Sequence, residues 1–156
     1  MAIFIQKELF NIEKIISNLR ADKSSIGAVV SFVGYVREFD KKIAIKKLKQ
    51  MDIEHYPGMT EKALMKIELR AKTRWNLEDV FIIHRIGKLL PSEPIVAVIV
   101  ASQHRKNAFQ ACEFIIDYLK TDAPFWKKEI SNKDAIWVEN KIEDCQKKTS
   151  WNIEND

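Results

Sequence analysis

Cysteine is scarce in this chain: Cys112 and Cys145 are the only two, and they form neither a CxxC pair nor a disulfide framework. Glycine is scarcer than usual, with four in 156 residues, and none builds a GxGxxG or other phosphate-cradling loop. The three histidines, His55, His84 and His104, share no HxxxH or HExxH spacing, so the sequence predicts no metal site. There is no GxSxG elbow, and neither cysteine sits in an activating context. No apolar run approaches the ~20 residues that span a bilayer, and Met1 to Phe10 is too short and mixed for a signal peptide. Lysine and arginine form no long run of the nuclear-signal or polybasic-tail type. These absences point to a soluble cytoplasmic protein without cofactor or metal. If it is an enzyme, it lacks a familiar nucleophile of its own.

What the chain does have is enough apolar residues, 46%, to bury a core, and a mildly basic balance of +4. The periodicities predict one α+β domain over residues 1–156, with an antiparallel or mixed sheet, packed helices and a polar tail from about residue 140. Strands are expected over 2–6, 27–36, 47–56, 80–86 and 95–101, the last the most hydrophobic and central. Gly34 marks a bulge or close approach, Glu38 to Ala44 a mobile loop, and Gly87 a turn. Helices are expected after Asn11, from Thr60 to about Trp75, and from His104 to Lys120. A hairpin around residues 131–134 and a last short helix docked by Trp151 complete the reading.

The segment from Asp117 to Glu129, Asp-Tyr-Leu-Lys-Thr-Asp-Ala-Pro-Phe-Trp-Lys-Lys-Glu, organises the rest. A helix delivers Lys120 in its last turn. Pro124 forbids its continuation, Phe125 and Trp126 anchor the bend, and Lys127 and Lys128 enter the next strand. Taken alone, this is also how a helix C-terminus with dipole-compensating lysines runs into a solvated edge strand. Other cations at element ends shift the balance: Arg37 ends a strand, and His104 and Arg105 open a helix where free N–H groups favour anions. Together they have the composition of a phosphate clamp that stabilises negative charge during reaction. His104 and Lys120 lie at opposite ends of one helix, about 24 Å apart at 1.5 Å per residue. They therefore serve different sites or one site completed by a second chain, and a homodimer with a shared pocket is expected.

Five ordered segments carry a family resemblance: Gly27-Ala-Val-Val-Ser-Phe-Val-Gly-Tyr-Val-Arg37, Glu54-His-Tyr-Pro-Gly-Met59, His84-Arg-Ile-Gly87, Ser102-Gln-His-Arg105 and Asp117 to Glu129. The chain resembles the large, catalytic subunits of molybdopterin synthases. The resemblance implies an α/β-hammerhead fold and a sulfurtransferase of molybdenum cofactor biosynthesis. Such an enzyme converts cyclic pyranopterin monophosphate into molybdopterin by installing a dithiolene. The sulfur comes from the Gly-Gly C-terminal thiocarboxylate of a small ubiquitin-like subunit, whose tail enters the large subunit's pocket. The assembly is a heterotetramer on a central homodimer. Carried over, the resemblance makes Lys120 and Lys127 catalytic. Tyr35, Val36, Arg37, His104, Arg105, Lys128 and Glu129 join them as substrate-binding residues. Gln103, Glu38 and the lysine-rich loop after it depart from the family pattern and bear on the pocket's shape. Two rivals are a basic nucleic-acid binder, which needs exposed aromatics among clustered cations, and an inactive scaffold for the small subunit.

Overall fold

The computed structural model describes residues 2–21, 23–38, 47–132, 134–139 and 142–153. Its elements run β1 (Ala2–Gln6), α1 (Ile12–Ala21), β2 (Ala28–Tyr35), β3 (Leu48–His55), α2 (Met59–Trp75), β4 (Asp79–Arg85), β5 (Gly87–Leu89), β6 (Pro94–Ser102), α3 (Arg105–Asp122), β7 (Phe125–Ser131), β8 (Ala135–Val138) and α4 (Ile142–Ile153). The class is α+β. The loop expected over residues 38–47 falls mostly on residues 39–46, outside the described residues, as do Lys133 of the hairpin turn and residues 154–156.

The strands form two four-stranded sheets. The first, β1-β4-β6-β2, is mixed, because β1 lies parallel to β4 while the other pairs are antiparallel. β6 is internal and buried on both faces, which is why it reads as an unbroken Ile-Val-Ala-Val-Ile-Val-Ala run. One face packs Val98 and Val100 against Leu64, Ile67 and Ala71 of α2 and Ala111, Phe114 and Ile115 of α3. The other packs Ile99 and Ala101 against Leu19, Ile12, Ile15 and Ile16 of α1. Asn11 caps α1, its Oδ1 accepting the Lys14 N–H at 2.9 Å. Gly34 sits at the register shift of β2, and a Cβ there would lie 2.8 Å from Val96 Cγ1.

The second sheet, β5-β3-β7-β8, encloses Val36, Leu48, Met51, Ile53, Leu89 and Ile95. Phe125 packs against both this core and the helical one. The sequence places a turn at Gly87. The structure starts a strand there, with Gly87 at φ 84° and paired to Ile53. Three residues are too few to show a period of two, so only the presence of β3 reveals β5.

One further correction bears on the site: β7 is not an edge strand, since β3 and β8 flank it on either side. The last helix expected in the polar tail is present and docked. Trp151 of α4 lies edge-on to Trp75 and Phe114, and its Nε1 donates to Asp117 Oδ2 at 2.9 Å.

Candidate active site

The polypeptide places Lys120 and Lys127 on either side of a bend. α3 ends at Asp122, Ala123 takes an extended conformation, and Pro124 allows no further helical turn. The Pro124 carbonyl accepts from Thr60 Oγ1 at 3.0 Å, tying the bend to the first turn of α2. That turn depends on Gly58, whose φ of 82° is unsuited to a side chain and whose N–H donates to Glu61 Oε2. β7 then carries its side chains alternately to the two faces of the second sheet. Lys127 lies opposite Ile53, a residue 1% exposed, so Lys127 points to the inner face, and Glu129, opposite Met51, shares that face. Lys128 points outward, its Nζ 5.4 Å from the Trp137 ring centroid.

Lys127 is half-buried, and burial is the first cause pushing its amine below the ordinary lysine range. The Lys120 charge pushes the same way, against the carboxylates of Asp144 and Glu129. A lysine held this way has a larger neutral fraction near neutral pH than a solvated one, as a proton acceptor or nucleophile needs. Lys120 is exposed, with its Nζ 3.3 Å from Asp144 Oδ1.

Behind Lys127 lies His84, stacked on Phe125 with ring centroids 3.7 Å apart and planes 14° from parallel. Its Nδ1–H donates to the Arg85 carbonyl at 2.8 Å. Burial first, and the Lys127 charge second, lower its pKa to about 3, so the ring is neutral and serves as packing. The sequence reading of His84 as a structural histidine agrees. Below the ordinary histidine range and down to about 3, the unfolded chain takes up a proton here that the folded chain refuses. Stability therefore falls as pH drops through that window. Between pH 7 and pH 4 this contributes on the order of 3 kcal/mol. Denaturant unfolding at the two pH values should show His84→Gln losing that part of the slope. An unchanged slope would mean the imidazole does not titrate as placed.

The end of β2 lies on the same side of the molecule. Tyr35 pairs with Pro94 at the start of β6, and α3 runs back over the sheet from the far end of β6, so Arg37 and the C-terminus of α3 share one end. Tyr35 and Arg37 are exposed there. Val36 is not: its side chain, 2% exposed, sits in the second core, and its N–H and C=O bond Glu93 O and Ser92 N. Of the expected binding trio, only its neighbours present side chains to a ligand. Arg85, at the same end, is occupied by Lys7 O, Pro94 O and Glu93 Oε1.

His104 and Arg105 are elsewhere. They are exposed at the N-terminus of α3, where His104 is the cap residue without a side-chain cap bond. With Gly27, Gln103 and Lys106 they line an open polar recess of about 500 Å³. A Cβ on Gly27 would lie 2.2 Å from Gln103 O, so only glycine allows β2 to approach this turn. The structure thus brings Lys120, Lys127, Glu129 and Arg37 to one end of the protomer. It leaves His104 and Arg105 at the other, a helix length away, and turns Lys128 to the outer face.

The sequence reading missed Asp144. Its spacing of four from Lys148 on a helix was visible, but not that both reach across to α3.

The MoaE family model matches residues 5–122. The chain is 50% identical over 151 residues to the molybdopterin synthase catalytic subunit of Pseudomonas aeruginosa, covering 97% of this chain and 99% of that relative. It is 48% identical over 154 residues to that of Ralstonia nicotianae, covering 99% and 86%. The solved structure of the molybdopterin biosynthesis MoaE protein from Burkholderia ambifaria superposes with a TM-score of 0.82 at 45% identity, over 97% of this chain and 99% of that one. On fold, segment order and identity along nearly its whole length, the chain belongs to the MoaE family.

Proposed function

We propose that the paired lysines at the Pro124 bend form the reacting centre at which sulfur passes from a partner's C-terminal thiocarboxylate to cyclic pyranopterin monophosphate. As a MoaE family member the chain is the catalytic subunit of a molybdopterin synthase, a sulfurtransferase of molybdenum cofactor biosynthesis. The observation that carries the site assignment is the half-buried Lys127, its amine depressed by burial and by Lys120.

Each transfer joins the thiocarboxylate sulfur to a pterin side-chain carbon in place of an oxygen substituent, whose C–O bond breaks and whose oxygen leaves as water or stays on the phosphate. Water then cleaves the partner's acyl carbon–sulfur bond, leaving sulfur on the pterin and a carboxylate on the partner. Both acyl steps develop an oxyanion. The Lys120 ammonium stabilises it, and the Lys127 amine, where neutral, accepts the proton of the attacking water. Arg37 at the same end, and His104 and Arg105 contributed by a second copy, hold the phosphate and pterin. The separation of His104 from Lys120 supports this shared pocket. On this reading the large subunits form a homodimer, and two small ubiquitin-like subunits complete a heterotetramer. The two sheets act as one domain, joined through Phe125. The unpaired thiols Cys112 and Cys145 support a cytoplasmic setting.

The test is reconstitution. The purified chain, a thiocarboxylated small subunit and cyclic pyranopterin monophosphate should yield dithiolene, detected as molybdopterin. Binding of the small subunit without product would instead mark a scaffold.

A further inference from the structure

Four contacts of α4 with α3 fall on one face. Asp144, Lys148, Trp151 and Asn152, spaced as neighbours on a helix, meet Lys120, Asp122, Asp117 and Tyr118 of α3. Three of these four attachments only brace the helix. The Lys148 ammonium pairs with Asp122. Trp151 Nε1 bonds Asp117 while its ring packs on Trp75. The Tyr118 hydroxyl donates to Asn152 Oδ1 at 3.1 Å. The fourth reaches the reacting centre: Asp144 Oδ1 is 3.3 Å from Lys120 Nζ, and its side chain is 18% exposed against 45% for the lysine.

We infer that Asp144 is a positioning residue for sulfur transfer: its carboxylate holds the Lys120 ammonium beside Lys127, making α4 a working part of the site. The inference rests on the proposed role of the lysine pair. Two ammonium groups in one pocket repel, and a long lysine side chain loses rotamer freedom when it is held in place. A sheltered carboxylate on a separate helix counters the repulsion and fixes one partner without occupying the inner face, where substrate must fit. Among the described residues, the charged and titratable groups that act on Lys127 are Lys120 from α3, Asp144 from α4 and Glu129 on its own strand, with His84 from β4 beside it and His55 from β3 beyond His84. Of the two carboxylates among them, Glu129 shares the strand of Lys127, and Asp144 is the one a separate helix supplies.

The experiment uses the full chain with thiocarboxylated small subunit and cyclic pyranopterin monophosphate, comparing wild type, Asp144→Asn, Asp144→Glu and Lys148→Ala. For Asp144→Asn, kcat should fall about tenfold, the scale of a lost charge-assisted bond. KM for the anionic substrate should stay level or drop, because a negative charge has gone. The pH limb set by Lys127 should move to lower pH, since the carboxylate that supported its protonated form is absent. Asp144→Glu should restore much of both. Lys148→Ala breaks a brace and should lower Tm while keeping kcat and the pH profile. Asp144 also lies in the first turn of α4, so some loss of Tm is expected from the helix dipole. Asp144→Ser replaces the amide variant if that does not fold. Wild-type kcat and pH profile in Asp144→Asn would overturn the inference, as would the same kinetic changes in Lys148→Ala. No dithiolene from wild type overturns the functional reading and this inference with it.

Discussion

Lys120→Ala and Lys127→Ala should each abolish dithiolene formation, by at least a hundredfold, while the large subunit still binds its small partner. The size follows from the roles involved, since a positioned proton acceptor or an oxyanion-stabilising cation is worth about 10²–10⁴ in rate. The two losses should not be alike under conservative replacement. Lys120 is exposed, and in the proposed role it acts through its charge, so Lys120→Arg should keep part of the rate. Lys127 faces Ile53 on the inner face, and burial lowers its amine's affinity for the proton. A guanidinium does not deprotonate in proteins, and it is bulkier, so Lys127→Arg should be as inactive as Lys127→Ala. Single-turnover product assays on preassembled complexes separate binding from chemistry. Near-wild-type turnover in either alanine variant would remove the bend from the mechanism. Recovery in Lys127→Arg would show that charge, not a neutral amine, is what that position supplies.

The second large effect is complementation between subunits. Lys127→Ala and Arg105→Ala should each be nearly inactive alone and regain activity when co-expressed or unfolded and refolded together. In a mixed dimer one pocket carries both lesions and the other carries none. With random pairing of equal amounts, about a quarter of all pockets are intact, and the mixture should reach about that share of wild-type activity. Within one protomer Arg105 opens α3 and Lys127 follows the bend beyond its other end, and the 18 residues of α3 make a rod of about 27 Å. No recovery on mixing, with dimers present, would place His104 and Arg105 outside the reacting pocket.

The exposed aromatics bear on the rival reading of a nucleic-acid binder. Tyr56, Trp126 and Trp137 are exposed on and beside the second sheet, whereas the sequence patterns place most aromatics in the core. Alternation along β7 explains the difference: the residue between Phe125 and Lys127 must face outward once Phe125 faces in. Exposed rings alone do not supply the clustered cations such a binder needs, and Lys128 over Trp137 is a single pair.

The sequence by itself determined the helices, the long strands and the Pro124 bend with a lysine on either side. Periodicity, caps and proline are local signals: Asn11, the Ile-Val-Ala-Val-Ile-Val-Ala strand and the bend after α3 each declare themselves within a few residues. It also determined the helix-length separation of His104 from Lys120, because rise per residue is fixed. Tertiary structure decided which side chains meet. The pairing of β7 with β3 turned Lys127 inward and Lys128 outward, and the second core withdrew Val36 from any ligand. Docking of α4 carried Asp144 to Lys120 across 24 residues of chain. Register and helix docking depend on summed burial across distant segments, which no short window of sequence contains.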